Sequence, residues 1–250
     1  MKTLVLISFY CLFFALPAIS SLAWKKHNKL PAASPDTSII STDSRKNNLT
    51  THDELIYLYN SLELKQKGLS LRAFEYAFKG YRRLLQRKII DEQAFLAICD
   101  FSQSSANRRM YIVDMVNCRT VVNTFVAHGR NSGGEYARRF SNRPKSLQSS
   151  LGFYVTKGTY YGEHGLSLKM SGLEKGFNDK AMRRRIVVHG ANYIGEEWLQ
   201  NGKPMGRSYG CPAVPKEESE QIINMIKNGS CIFIYHPSRG YLRGSKILND

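Results

Sequence analysis

The chain has 250 residues, with 36 Lys and Arg against 20 Asp and Glu, giving a formal net charge of +16 at pH 7. That length suits a single sizeable domain with its own core, and that charge favours an acidic partner. No nucleic-acid motif accompanies it, and nothing beyond the N-terminal run approaches the roughly 20 apolar residues of a spanning helix, so nucleic-acid binding and a multi-span membrane protein are set aside.

Met1-Lys2 opens an apolar run from Leu4 to Ile19, broken by Ser8 and Tyr10, that closes on Ser21-Leu22-Ala23. This is the form of a signal peptide with a small-x-small cleavage site, so residues 1–23 are expected to be lost on export, leaving no stable membrane span. Export makes an anionic envelope polymer a better acidic partner than nucleic acid. Residues 24–50 are rich in Ser, Thr, Asn, Lys and Pro without apolar periodicity, and read as a flexible linker. Thr51-His52-Asp53-Glu54 has the form of a capping box, after which Leu55, Tyr59 and Leu62 recur at helical spacing. Ser70 can cap a second helix with Leu71, Phe74, Phe78, Tyr81 and Leu85 on one face. Residues 51–90 are thus a predicted helical hairpin.

From Ala94 the pattern changes to short apolar runs parted by Gly, Asn and Ser: Ala94 to Ile98, Met110 to Val113, Val121 to Ala127, Gly152 to Thr156, Ile186 to Val188 and Cys231 to Tyr235. Residues 91–240 are therefore a predicted mainly β domain. One helix is expected after Pro215, with Ile222, Ile223 and Ile226 inward and Gly229 ending it. Residues 241–250 read as a C-terminal tail.

Beyond the signal, Cys99, Cys118, Cys211 and Cys231 fit neither the disulfide framework of a small secreted module nor zinc knuckles, so no metal and no cofactor is expected. Cys99 and Cys118 are a candidate disulfide pair, and Cys231 reads as an inert strand thiol. Cys211 is different. It sits between Gly210, which allows close backbone approach, and Pro212, which stiffens the chain. It also lies just before the predicted helix, whose positive end would favour a thiolate. Backbone N–H groups from Tyr209 to Cys211 are candidates for an oxyanion hole. A base is needed, and His128-Gly129, His164-Gly165, His189-Gly190 and His236-Pro237 compete for that role.

Strand-His189-Gly190 followed by Ser208-Tyr209-Gly210-Cys211 resembles the active-site signature of the L,D-transpeptidases. It is most similar to their YkuD-like murein L,D-transpeptidase catalytic domain branch, with further likeness at Ala127 to Gly134, Phe140-Ser141-Asn142, Ser149 to Tyr154 and Gly206 to Ala213. The resemblance spans roughly residues 91–237. It implies a YkuD-like β-sandwich or barrel preceded by the short helical hairpin, and an exported, periplasmic or wall-associated enzyme acting on peptidoglycan stem peptides. Cys211 would be the nucleophile, His189 its base, the Gly190 carbonyl the group that orients the imidazole, and Ser208 the support of the turn. Arg130 and Arg207 would grip stem carboxylates. Tyr209, Gly210, His128 and Asn131 complete the expected binding set, His128 with the polar loop Gly129 to Gly134. The same residues leave open an L,D-carboxypeptidase, in which water is the acceptor, and a non-catalytic basic wall-binding protein. Four departures from the common pattern concern specificity: 18 residues between His189 and Ser208, Tyr209 in place of a second histidine, Pro212-Ala213 in place of residues that end in Arg and Asn, and Ser150 where a Thr-Pro-x-Gly element has proline.

Overall fold

Helix α1 (Thr51–Ser61) and helix α2 (Leu71–Gln86) occupy the stretch read as a hairpin, in a computed structural model that describes residues 51–250. The signal peptide and linker, residues 1–23 and 24–50, lie outside the described residues. Leu55, Tyr59 and Leu62 are buried, as their spacing predicts. Ser70 adopts extended backbone and its Oγ accepts from Ala73 N at 3.2 Å, which satisfies one of the unpaired donors at the start of α2. A glycine inside a helix costs about 1 kcal/mol relative to alanine. Gly80 is needed there because a Cβ would run into the Phe153 ring.

The strands are β1 (Leu96–Asp100), β2 (Met110–Asp114), β3 (Arg119–Thr124), β4 (Gly152–Gly162), β5 (Gly165–Gly172), β6 (Val187–Ala191), β7 (Ala213–Pro215) and β8 (Cys231–Tyr235). They form one mixed sheet in the order β3-β2-β1-β8-β4-β5-β6-β7. Neighbours run antiparallel except β1 with β8 and β6 with β7, which are parallel. The two edges meet, because Ala127, just past β3, bridges Ala213 of β7, with Ala127 N donating to Ala213 O at 2.8 Å. That contact turns the sheet into a nearly closed barrel. Strands β1, β2, β6 and β8 are buried at every position, which accounts for their near-continuous apolar sequences.

Helix α3 (Glu196–Gln200) is short, and helix α4 (Lys216–Ile226) buries Ile222, Ile223 and Ile226. Asn228 and Gly229 follow with positive φ of 60° and 110°, ending the helix where glycine was expected to end it. Residues 241–250 are not a loose tail. They belong to α5 (Arg239–Gly244) and α6 (Lys246–Asn249), which bury Tyr241, Ile247 and Leu248. Buried Glu174 anchors them, accepting from Tyr241 OH at 2.9 Å, from Ser245 Oγ and from Phe153 N at 2.8 Å.

The candidate Cys99–Cys118 disulfide is corrected. Cys99 is buried in β1 while Cys118 is exposed at the β2–β3 turn, and both are free thiols. Burial pushes the Cys99 thiol up to about 12, so it is inert at neutral pH. No helix among the described residues is long and apolar enough to cross a membrane.

Candidate active site

Three segments distant in sequence are laced together by backbone bonds. Ser208 N donates to His128 O at 3.0 Å and Arg130 N to Ser208 O at 2.8 Å. Gly129 N donates to Ser149 Oγ at 3.0 Å, and that hydroxyl donates to Gly210 O at 3.3 Å. The stretches from Ala127, from Ser149 and from Gly206 therefore form one floor. On it, Ser208 Oγ accepts from Gly210 N at 3.0 Å and donates to Cys211 O at 2.6 Å, cinching the turn that carries the thiol. Gly210 is required twice over: its φ is +122°, and a Cβ would lie 2.8 Å from Gln148 O.

Cys211 and His189 line the same cavity, of about 800 Å³. His189 lies within β6 rather than after it, and is 3% exposed. Its Nδ1 is 3.0 Å from Gly190 O. A carbonyl only accepts, so Nδ1 carries the hydrogen and Nε2 keeps its lone pair. Burial holds the imidazole below its usual range, helped by His164 and Lys216 and opposed by the Gly190 hydrogen bond. Burial pushes the Cys211 thiol up, against the backbone N–H of Val187 and the charge of Arg184. Thiol and imidazole are thus both neutral at pH 7. Among the described residues no hydrogen bond joins them. Sγ instead donates to Arg185 O at 3.8 Å, the kind of loose arrangement common before substrate arrives.

The expected help from a helix dipole is corrected by this result. β7 separates Cys211 from α4, and a dipole's influence fades within a turn, so the thiol feels burial more than the helix end. The oxyanion donors are also narrowed. Gly210 N–H is taken by Ser208, while the N–H groups of Tyr209 and Cys211 have no acceptor among the described residues.

Arg184 is the site residue that sequence reasoning missed. It lies in an unremarkable basic run, Arg183-Arg184-Arg185. In the fold it lines the cavity and donates to Ser141 O at 2.8 Å, Ser146 Oγ at 3.3 Å, Gln148 O and Ser150 Oγ. It pins the loop beneath Gly210 and leaves its charge beside Cys211. Arg130, Arg185 and Arg207 share the cavity with it, and Glu163 is the one carboxylate among the lining residues. Such a lining suits an anionic ligand. Arg130 stands over the Tyr209 ring at 5.8 Å, and Arg207 Nη1 donates to Gly133 O at 2.9 Å. Tyr209 itself is 67% exposed at the rim.

Two expected binding residues are elsewhere. His128 is fully buried, with Nδ1 2.7 Å from Nη2 of the equally buried Arg109. Arg109 only donates, so Nδ1 accepts and the ring is neutral; burial and then the Arg109 charge push His128 down to about 4. It can reach neither substrate nor Cys211. Asn131 is exposed outside the cavity and donates from Nδ2 to Ser146 O at 3.0 Å, a loop-bracing role. His236 packs at a tilt against Phe140, ring centroids 4.9 Å apart, and does not line the cavity. Of the aromatic residues, Tyr160 and Tyr193 line it, whereas Tyr154 is buried with its hydroxyl on Ser150 O. No group of three or more His, Cys, Asp or Glu among the described residues forms a metal site.

A comparison with curated proteins finds no match. Among solved structures, the chain is similar to an L,D-transpeptidase from Mycobacterium smegmatis, at 12% identity over 57% of this chain and 58% of that one, TM-score 0.34. One from Stackebrandtia nassauensis matches at 13% identity over 65% and 67%, TM-score 0.33. One from Xylanimonas cellulosilytica matches at 15% over 73% and 93%, TM-score 0.34. The chain spans less than two thirds of the M. smegmatis structure. These superpositions carry no argument at such scores; the family model does, since the L,D-transpeptidase catalytic domain matches residues 65–235, from before α2 to the end of β8. With two thirds of its length inside that match, the chain belongs to the L,D-transpeptidase catalytic domain family.

Proposed function

We propose that the protein is an exported murein L,D-transpeptidase that works through a Cys211 acyl-enzyme. One observation supports this above the others: Cys211 and His189 open into one cation-lined cavity, with the Nε2 lone pair of His189 left free by the Nδ1 bond to Gly190 O. In the first half-reaction Nε2 takes the thiol proton as sulfur attacks the carbonyl of the third residue of a tetrapeptide stem. The oxyanion is met by the unpaired N–H groups of Tyr209 and Cys211. The C–N bond to the terminal D-Ala then breaks, and its amine leaves with the proton held on Nε2. In the second half an amine of another stem attacks the thioester, gives its proton to Nε2, and the sulfur departs to be reprotonated.

Arg130, Arg184 and Arg207 supply the positive field for stem carboxylates, and Arg184 also steadies the thiolate as it forms. The N-terminal segment supplies export. The test is incubation of the full chain with a carbapenem followed by intact-mass measurement. An adduct on the wild type that is absent from Cys211→Ala is expected. No wild-type adduct, or an equal adduct on the variant, overturns the reading. Muropeptides with a direct link between third-position residues are the expected products, and tripeptides alone would make the enzyme a carboxypeptidase.

A further inference from the structure

His164 lies at the tip of the β4–β5 hairpin, in the two-residue connection Glu163-His164, and solvent reaches it. Its ring stacks on that of His189, with centroids 4.2 Å apart and planes 20° from parallel. The hairpin tip is moored. Lys216 Nζ donates to His164 O at 3.0 Å, and the Lys216 stem runs so close over Gly190 that a Cβ there would lie 3.1 Å from Lys216 Cδ. β5 joins the same assembly from the other side, since Ser167 stands opposite His189 in the β5–β6 register. One lysine thus ties the residue after the proposed base to the residue that covers it.

We infer that His164 is a positioning residue for the proposed acyl-transfer site: stacked on His189, it keeps the imidazole in the plane that joins Nδ1 to Gly190 O and turns Nε2 to the cavity, and it makes a second proton on that ring costly. The inference rests on the proposed role of His189. Rotation of the His189 ring, which would exchange its two nitrogens, must break the stack. Two like charges at the separation of this stack repel, the more so where water is excluded, so the stacked pair resists carrying two charges. The other charged or titratable groups around His189 are Lys216 from α4, Glu163 from the hairpin tip, Arg185 from the stretch before β6, Cys211, Arg130, Arg184 and Arg207 across the cavity, and the phenols of Tyr160, Tyr193 and Tyr209 that line it. Lys216 acts in the same direction as His164, and its contribution stays constant when His164 alone is changed.

The test measures the pH dependence of Cys211 alkylation by iodoacetamide, and the titration of His189 by NMR, in the full-length wild type, His164→Phe and His164→Ala. His189 must be neutral to take the thiol proton, so alkylation falls as pH drops through its titration. Removing His164 lets His189 protonate more readily, and the acid limb is expected to move to higher pH by roughly half a pH unit in both variants. His164→Phe, which keeps a stacking ring, should retain the plateau rate, whereas His164→Ala should lose roughly tenfold. A mere structural role would not move the limb. Coincident limbs together with an unchanged His189 titration overturn the inference. The two proposals fail separately: a wild type without a carbapenem adduct but with a shifted limb removes acyl transfer and keeps the His164–His189 coupling, and the reverse removes only His164.

Discussion

Ala127-His128-Gly129 and Val188-His189-Gly190 are nearly the same sentence in sequence, an apolar strand end followed by His-Gly, yet their imidazoles do opposite things. The difference lies in what meets Nδ1. At His189 it is a carbonyl, which fixes the hydrogen on Nδ1 and leaves the lone pair on Nε2 of a ring that lines the cavity. At His128 it is a buried guanidinium, which takes the lone pair on Nδ1 and makes the ring an acceptor for Arg109. Arg109 also donates to Val126 O at 2.9 Å and Gln103 O at 2.8 Å, and it lies over Phe101. A tautomer chosen by one neighbour thus separates a proposed base from a structural prop.

That contrast can be broken at either end. The largest expected effect is on His189→Gln, which should slow carbapenem acylation by roughly 10²- to 10⁴-fold, the usual worth of a general base, while His128→Gln stays within a few-fold of wild type. Equal losses in stopped-flow acylation would erase the distinction. Next comes Arg109→Met, which strands three buried acceptors and should cost about 3 kcal/mol in urea denaturation. The smallest effect is the pH dependence of folding. His128 binds a proton at about 4 in the folded protein and near its ordinary 6.5 when unfolded, so its contribution is present above pH 6.5 and lost as pH falls toward 4. Between pH 7 and pH 4.5 that loss is about 2.5 kcal/mol. In His128→Gln the denaturation midpoint should fall less over the same interval, and a parallel fall would mean that His128 carries little of the acid sensitivity.

The turn that carries Cys211 is legible because its bonds are local, Ser208 reaching only to Gly210 and Cys211, and the same holds for His189, whose ring meets the carbonyl of the next residue, Gly190. What escaped was set by distant partners. Nothing near His128 in sequence announces Arg109, and nothing near Arg184 announces the carbonyl and hydroxyl oxygens of residues 141–150 that hold it. β5 is absent from the predicted strands because glycines flank it, although Leu166, Leu168 and Met170 alternate as a half-buried strand should. β7 has only three residues, too few for any periodicity. The closing helices α5 and α6 were missed for the same reason, their apolar residues being few and their value lying in what Glu174 does with Tyr241 and Ser245.

Ala213, two residues beyond the thiol, pairs with His189 on one side and with Ala127 on the other. The pairing with Ala127 joins residues far apart along the chain, the kind of contact whose entropy of loop closure is paid late and whose formation depends on everything between. The proposed nucleophile, its proposed base and the floor beneath them therefore share one seam with the closure of the barrel. A chain that has not shut this seam has a thiol but no aligned imidazole and no cinched turn. Reactivity in this protein is in that sense a certificate of completed folding.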